Sequence, residues 1–150
     1  MATQAVQQGT VSAKLIGRWE HVNQKLVALA EDVPESKFDY QPVDGVRSFA
    51  DTLRHVAFWN RYVADSARGK KADDAANELP KAEFSTKTHI VDALKGSAED
   101  VTRSLNHNPA GMSLEMTEML ATFIEHNCEH YGQLVVYARL NGIVPPASRS

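Results

Sequence analysis

Two histidines of this 150-residue chain have the spacing of metal ligands on a helix. His126 and His130 lie four residues apart in a long apolar pattern typical of a helix, so both imidazoles leave one helix face about a turn apart. Paired histidines on zinc-binding helices converge on one ion from this spacing. The alternative is that both are buried core residues with other hydrogen-bond partners. The pairing favours a metal, because hydrocarbon neighbours cannot satisfy two stacked imidazoles.

A third ligand is expected from another helix, because two imidazoles rarely suffice to hold an ion. His55 is the candidate, since it lies on a second helical pattern and shares its stripe with aromatic side chains. Aromatic walls with polar tips suit a ligand pocket, although a packed aromatic face is the alternative. The candidate pocket residues on the two helices are Trp59, Tyr62, Phe123, Gln133 and Tyr137.

The other histidines are expected to lie outside this site. His21 belongs to the polar face of the first helical pattern, which predicts an exposed side chain. His89 lies in the first turn of the third pattern and His107 just past its end, so both are predicted to be structural or solvated.

Three further polar residues accompany the histidine pair. Cys128 points away from its two neighbours and is predicted to be a small buried hydrophobic residue. Glu125 and Glu129 flank the histidine face and either orient an imidazole or are solvated. Glu129, the acid between the two histidines, lies on the other side of the helix from the general base of the His-Glu-x-x-His motif of zinc proteases, which argues against a peptidase.

Four helical patterns must position these residues. They cover about 11–30, 48–69, 86–105 and 113–140, with caps predicted at Ser48, at Ser85 or Thr86, and at Ser113. The segments 35–47 and 70–81 contain Pro or Gly and lack periodicity, which predicts long connections. No segment has strand alternation. The sequence therefore predicts an all-α fold, an antiparallel four-helix bundle with long crossover connections, in one domain covering 1–150.

Composition narrows the classes of partner. A hydrophobic share of 43% and a net charge of −3 are ordinary for a globular protein. Basic residues are scattered among acids, which argues against nucleic acid, and no apolar run reaches the roughly 20 residues of a membrane span. A single cysteine and the lack of a secretory pattern in residues 1–10 predict a cytoplasmic location.

Apolar residues outside the histidine face predict a homodimer. Ile124, Val135 and Val136 point away from the histidines on the fourth helix, so this helix has apolar surface in more than one direction. A neighbouring helix can cover one of these apolar surfaces, and a symmetric partner subunit can cover the other. The alternative is a central fourth helix that is covered within one subunit.

Two stretches of the chain combine these residues into recognisable motifs. They are Leu53-Arg54-His55-Val56 and Glu125-His126-Asn127-Cys128-Glu129-His130-Tyr131-Gly132-Gln133-Leu134. With the loop motif Tyr40-Gln41-Pro42, they give the chain a resemblance to the DinB family of DinB/YfiT-like metalloenzymes. The resemblance implies that His55, His126 and His130 bind a divalent metal with positions left for water or substrate. Many relatives have Arg at the position of Tyr131, and others share Tyr there.

The resemblance also suggests a range of activities. Relatives of known activity include thiol-dependent transferases and a mycothiol-dependent maleylpyruvate isomerase, which implies a metal-dependent transferase or hydrolase that activates a low-molecular-weight thiol or water. Zinc and nickel suit three imidazoles, and iron and manganese remain open. The rival interpretations are a non-catalytic metal- or ligand-binding protein in a stress response, and a bundle without metal.

Overall fold

The computed structural model describes residues 2–106 and 111–150, with side chains from residue 11 onward. It contains four helices: α1 (Ala2–Asp32), α2 (Phe49–Ala67), α3 (Lys87–Leu105) and α4 (Leu114–Leu140). Single 3₁₀ turns occupy Glu35–Lys37 and Pro146–Ser148. The described residues contain no strand, and none of their helices is long and apolar enough to cross a bilayer. The predicted all-α class is confirmed.

The helix boundaries follow local side-chain chemistry. The hydroxyl oxygens of Ser48, Thr86 and Ser113 each accept a hydrogen bond from the backbone N–H three residues on, at 3.0, 3.2 and 3.1 Å. Each hydroxyl satisfies one of the N–H groups that a first helical turn leaves free. α4 ends before Gly142, whose φ of +74° suits glycine. The predicted caps are therefore confirmed, whereas α1 begins earlier than its apolar pattern.

The order of contacts between helices defines the topology. Asn60 of α2 pairs with Ser97 of α3, and Arg68 pairs with Asp100, so these two helices run in parallel. α1 and α4 run the opposite way. The 19-residue connection 68–86 must therefore cross the length of the bundle, whereas 33–48 joins antiparallel neighbours. Hydrogen bonds show this opposite direction. Two of them join α1 to α3, Trp19–Ala98 and Lys87–Glu31, and two join α4 to α2 and the residue before its cap, His55–His126 and Tyr137–Arg47.

A polar layer crosses the middle of the core. Each helix contributes one buried polar residue to it: Asn23, Asn60, Ser97 and Asn127. Their amides and hydroxyl are hydrogen-bonded to one another, as buried polar groups require. The layer separates two apolar clusters, one around Leu26, Leu53, Leu94 and Leu134 and the other around Trp19, Val63, Val101 and Leu120.

Candidate metal centre

His55, His126 and His130 come together between α2 and α4. One ring nitrogen of each lies within 4.8 Å of the others. His55 is 6% exposed, and the other two side chains are half-buried. His126 and His130 therefore lie at the edge of the buried face of α4 rather than at its centre, which Leu120, Asn127 and Leu134 occupy. Among the described residues, these three histidines are the only group of three or more His, Cys, Asp or Glu side chains close enough to share an ion.

The orientation of His55 is set by the connection between α2 and α3. Its Nδ1–H donates to the backbone carbonyl of Asn77 at 2.7 Å. The side-chain Oδ1 of Asn77 accepts from the indole N–H of Trp59 at 2.9 Å. Asn77 has a φ of +64°, a left-handed conformation that asparagine tolerates better than most residues. A carbonyl can only accept, so the proton of His55 is on Nδ1 and its Nε2 is free to bind a metal.

A chain of hydrogen bonds along α4 orients His130. The hydroxyl of Tyr137 donates to the backbone carbonyl of Arg47 at 2.8 Å, and it accepts from Nε2 of Gln133 at 2.8 Å. This fixes the amide of Gln133, so its Oε1 accepts from Nδ1–H of His130 at 2.9 Å. The proton of His130 is therefore also on Nδ1.

The polar layer orients His126 in the same way. Asn23 donates to the backbone carbonyl of Trp19 at 2.9 Å, so its Oδ1 is the acceptor for Nδ2 of Asn127 at 3.2 Å. Asn127 also donates to Asn60 at 3.0 Å. Its Oδ1 is left to accept from Nδ1–H of His126 at 3.0 Å. All three candidate ligands thus carry their proton on Nδ1, held by an oxygen acceptor, as ligating histidines usually are.

These tautomers leave two lone pairs facing each other. Nε2 of His55 and Nε2 of His126 are 3.0 Å apart, and neither carries a proton in the arrangement just described. Two acceptors at this distance need a proton or a metal ion between them. Two nitrogens bound to one ion at 2.0–2.1 Å lie roughly this far apart. The donor set therefore fits a divalent metal.

The electrostatics keep the imidazoles of His55 and His126 neutral. The pKa of His55 is lowered to about 4, mainly by burial and to a smaller extent by the charge of Arg47, whereas the hydrogen bond to Asn77 opposes the shift. Burial also lowers the pKa of His126. Neutral imidazole is the form that binds metal, so the surroundings favour the binding-competent state at neutral pH.

Three of the predicted pocket residues line a groove beside the triad. The rings of Trp59 and Phe123 are stacked with centroids 5.5 Å apart, and Tyr62 contacts both. The wall reaches the triad, since the rings of Phe123 and His126 are 5.6 Å apart. The other two predicted pocket residues, Gln133 and Tyr137, are outside this groove and support His130 instead.

The remaining candidates lie outside the site. His21 is exposed, as predicted, His89 is exposed, which agrees with the solvated alternative, and His107 is outside the described residues. Cys128 is exposed, so the prediction of a buried hydrophobic residue is wrong. It leaves α4 opposite the core, where a side chain next to the buried Asn127 can still point to solvent.

The flanking acids and Tyr131 also lie away from the three imidazoles. Glu125 and Glu129 are exposed, which agrees with the solvated alternative. Tyr131 packs toward α1, where the ammonium of Lys25 lies 4.4 Å from its ring centroid.

The comparison with known families agrees with this geometry. The DinB superfamily model matches residues 18–134. The chain belongs to the DinB superfamily. The match includes all three histidines and most of the four helices, which confirms the predicted family. No curated protein matches this DinB chain, and membership in a superfamily does not itself define a reaction.

Sequence reasoning missed Asn77 and Asn127, which orient His55 and His126. Asn77 lies in a polar connection whose path past His55 has no local signal. Asn127 lies inside the histidine motif of α4 but was given no role. An amide side chain within an apolar pattern could have indicated a buried hydrogen-bonding residue. The hydrogen bonds that join Asn60 to Asn23 and Asn127 on the other helices depend on the tertiary packing.

Proposed function

We propose that this DinB protein binds a divalent metal through His55, His126 and His130 and is a metal-dependent transferase or hydrolase. The observation that carries the proposal is the 3.0 Å separation of Nε2 of His55 and Nε2 of His126, with both Nδ1 protons donated elsewhere. Zinc and nickel suit three imidazoles, and iron and manganese are the other candidates. Three protein ligands leave coordination positions for water or substrate, as in catalytic rather than structural sites.

The proposed chemistry is the activation of a low-molecular-weight thiol or water. When bound, a divalent ion lowers the pKa of a coordinated thiol or water and supplies a nucleophile near neutral pH. The protein contributes fixed ligand orientations through Asn77, Asn127 and Gln133. The aromatic wall of Trp59, Tyr62 and Phe123 offers apolar surface beside the triad for the body of a substrate.

A cytoplasmic location is part of the proposal. Cytoplasmic thiol pools would supply the co-substrate of an S-transferase. The exposed, unpaired Cys128 fits a reducing compartment, because such compartments keep thiols reduced.

Metal content tests the first half of the proposal. The protein is purified without a histidine tag or chelating column, and its bound metal is measured by elemental analysis. His→Ala changes at positions 55, 126 and 130 should each weaken metal binding by at least about tenfold to a hundredfold, because loss of the hydrogen-bond partner of a ligating side chain alone costs this much. His21→Ala and His89→Ala are matched controls on exposed residues. Stoichiometric metal in a variant with all three changes, at positions 55, 126 and 130, would show that these histidines are not the metal ligands.

Turnover tests the second half. The metal-loaded protein is assayed for thiol consumption with a chromogenic aryl halide and for hydrolysis of an activated ester without thiol. Thiol transfer that is present in the loaded protein and absent from both the metal-free protein and His126→Ala supports the S-transferase. Ester hydrolysis with the same dependence supports the hydrolase. Metal binding without either reaction supports the non-catalytic metal-binding alternative.

A further inference from the structure

The groove beside the triad has a distinctive lining. It lies between α2 and the first half of α4, has a volume of about 400 Å³ and is bordered by the connection 68–86. Trp59, Tyr62 and Phe123 form one continuous wall, because each pair of their rings is in contact. The faces of aromatic rings carry negative electrostatic potential and attract cations.

The charged residues of the groove all have one sign. Asp74 of the connection and Glu115 and Glu118 of α4 line it with exposed carboxylates. No ion pair is recorded for any of these three acids within 11–106 and 111–150, and in the same ranges the lining contains no Lys, Arg or His. The two acids of α2 itself are different, since Asp51 pairs with Arg54 and Asp65 with Arg68. The groove thus combines unpaired negative charge with an aromatic surface.

The groove is physically joined to the candidate metal centre. The indole N–H of Trp59 donates to Oδ1 of Asn77, and the backbone carbonyl of the same Asn77 accepts from His55. The ring centroids of His55 and Trp59 are 6.5 Å apart. A small molecule against the aromatic wall would therefore lie next to the triad, about one ring away from its imidazoles.

We propose that this groove binds a small organic cation, an amine or quaternary ammonium group with an apolar body, as the substrate of the adjacent metal centre. Charge complementarity selects the positive ligand, and the aromatic faces stabilise a cation whose hydration is weak. The substrate role rests on the proposed function, whereas cation binding by the groove does not depend on a metal.

Binding is measured by NMR on the metal-free protein with three probes. These are phenyltrimethylammonium, its uncharged isostere tert-butylbenzene, and benzoate. The chain has two tryptophans, so the indole N–H of Trp59 reports on the groove while that of Trp19, buried and bonded to the carbonyl of Ala98, is an internal reference. The cation should shift the Trp59 resonance and bind at least about threefold tighter than the isostere.

A charge-neutralising double variant tests the acids. Glu115→Gln with Glu118→Gln should weaken binding of phenyltrimethylammonium about three- to tenfold, the range expected for two exposed charges. Glu125→Gln with Glu129→Gln is the matched control, because it removes the same charge from exposed positions of the same helix outside the groove. About 0.5 M salt should weaken binding to the unmodified groove for the same reason.

Several results would overturn the proposal. Equal affinity for the cation and its isostere, tighter binding of benzoate, or equal effects of the two double variants would each reject a cation site. A shift of the indole N–H resonance of Trp19 instead of that of Trp59 would place the ligand in the separate groove between α1 and α3, which Trp19 lines. Because no metal is present, these results are independent of the proposed metal centre. Cation binding by a protein that fails to bind metal would retain the groove and reject the metal-dependent reaction.

Discussion

His126 and Asn127 are neighbours in the chain, yet their side chains belong to different parts of the bundle. His126 lies half-buried beside His55, whereas Asn127 is fully buried in the polar layer between the two apolar clusters. The Nδ1–H of His126 donates to Oδ1 of Asn127 at 3.0 Å. One hydrogen bond therefore connects the candidate metal centre to the packing of all four helices.

Replacement of Asn127 should destabilise the fold. In Asn127→Ala, the acceptor oxygens of Asn23 and Asn60 and the donor of His126 lose a partner in a buried environment. We expect the free energy of unfolding to fall by about 2–4 kcal/mol, the cost of unsatisfied polar groups and a small cavity. Urea unfolding measures the change. Glu125→Ala, at an exposed position on the same helix, should remain within about 0.5 kcal/mol. Equal effects of the two changes would contradict a structural role for the layer.

Replacement of Gln133 should weaken metal binding with little loss of fold. Gln133→Met keeps the length of the side chain but removes the acceptor of His130 Nδ1–H and the donor to Tyr137. The imidazole of His130 then loses its preferred tautomer and orientation, so we expect metal affinity to fall about 10- to 100-fold. Competitive titration with a chromogenic chelator measures it. Glu125→Met is the matched control, and unchanged affinity in Gln133→Met would show that His130 needs no such support.

Local signals made most of the fold predictable. Ser48, Thr86 and Ser113 each precede an apolar pattern and cap the helix that follows, because capping depends on residues only three positions apart. The convergence of His55 with the pair on α4 was predictable from helix faces and from the family resemblance.

The rest depends on contacts between distant parts of the chain. Asn77 reaches His55 because the connection 68–86 runs the length of α2, and a polar loop sequence does not specify its path. Cys128 was assigned to the core because small apolar residues are often buried, but its position next to Asn127 turns it outward. The carboxylates of Asp74 and Glu118 meet in one groove only after α2 and α4 have packed.

The buried imidazole of His55 predicts acid-sensitive stability of the metal-free protein. Burial lowers its pKa from 6.5 to about 4, so the unfolded chain binds more protons than the folded chain between these values. The free energy of unfolding should therefore fall as the pH decreases from about 6.5 to about 4, with a contribution from His55 of up to about 3 kcal/mol. Below that range this contribution should stay constant. The lowered pKa of His126 acts in the same direction.

A comparison with His55→Gln isolates this effect. Urea unfolding of both proteins between about pH 7.5 and pH 4.5 gives the difference in stability as a function of pH. The unmodified protein should lose stability relative to the variant as the pH falls. A difference that is independent of pH, or that changes in favour of the unmodified protein, would contradict a neutral buried His55.

The exposed face of α4 leads to the prediction of a homodimer. Ile124 and Val135 pack against the core of their own subunit, so part of the apolar surface inferred from the sequence is covered internally. Val136 is 54% exposed, however, and Cys128 and Gly132 are exposed on the same side of the helix. At 100° per residue these three positions lie within about 80° of one another. Because Cys128 and Gly132 are small residues, a second helix could approach this face closely.

Light scattering at micromolar concentration tests the dimer, with an expected mass of twice 16.6 kDa. Val136→Glu places a charge on the exposed face of α4 and should shift the protein toward monomer, because burial of an unpaired carboxylate in an interface is costly. Val43→Glu is the matched control, since Val43 is 61% exposed in the connection between α1 and α2. A mass of 16.6 kDa for the unmodified protein would reject the dimer. It would leave the candidate metal centre unaffected, because His55, His126 and His130 all come from one chain.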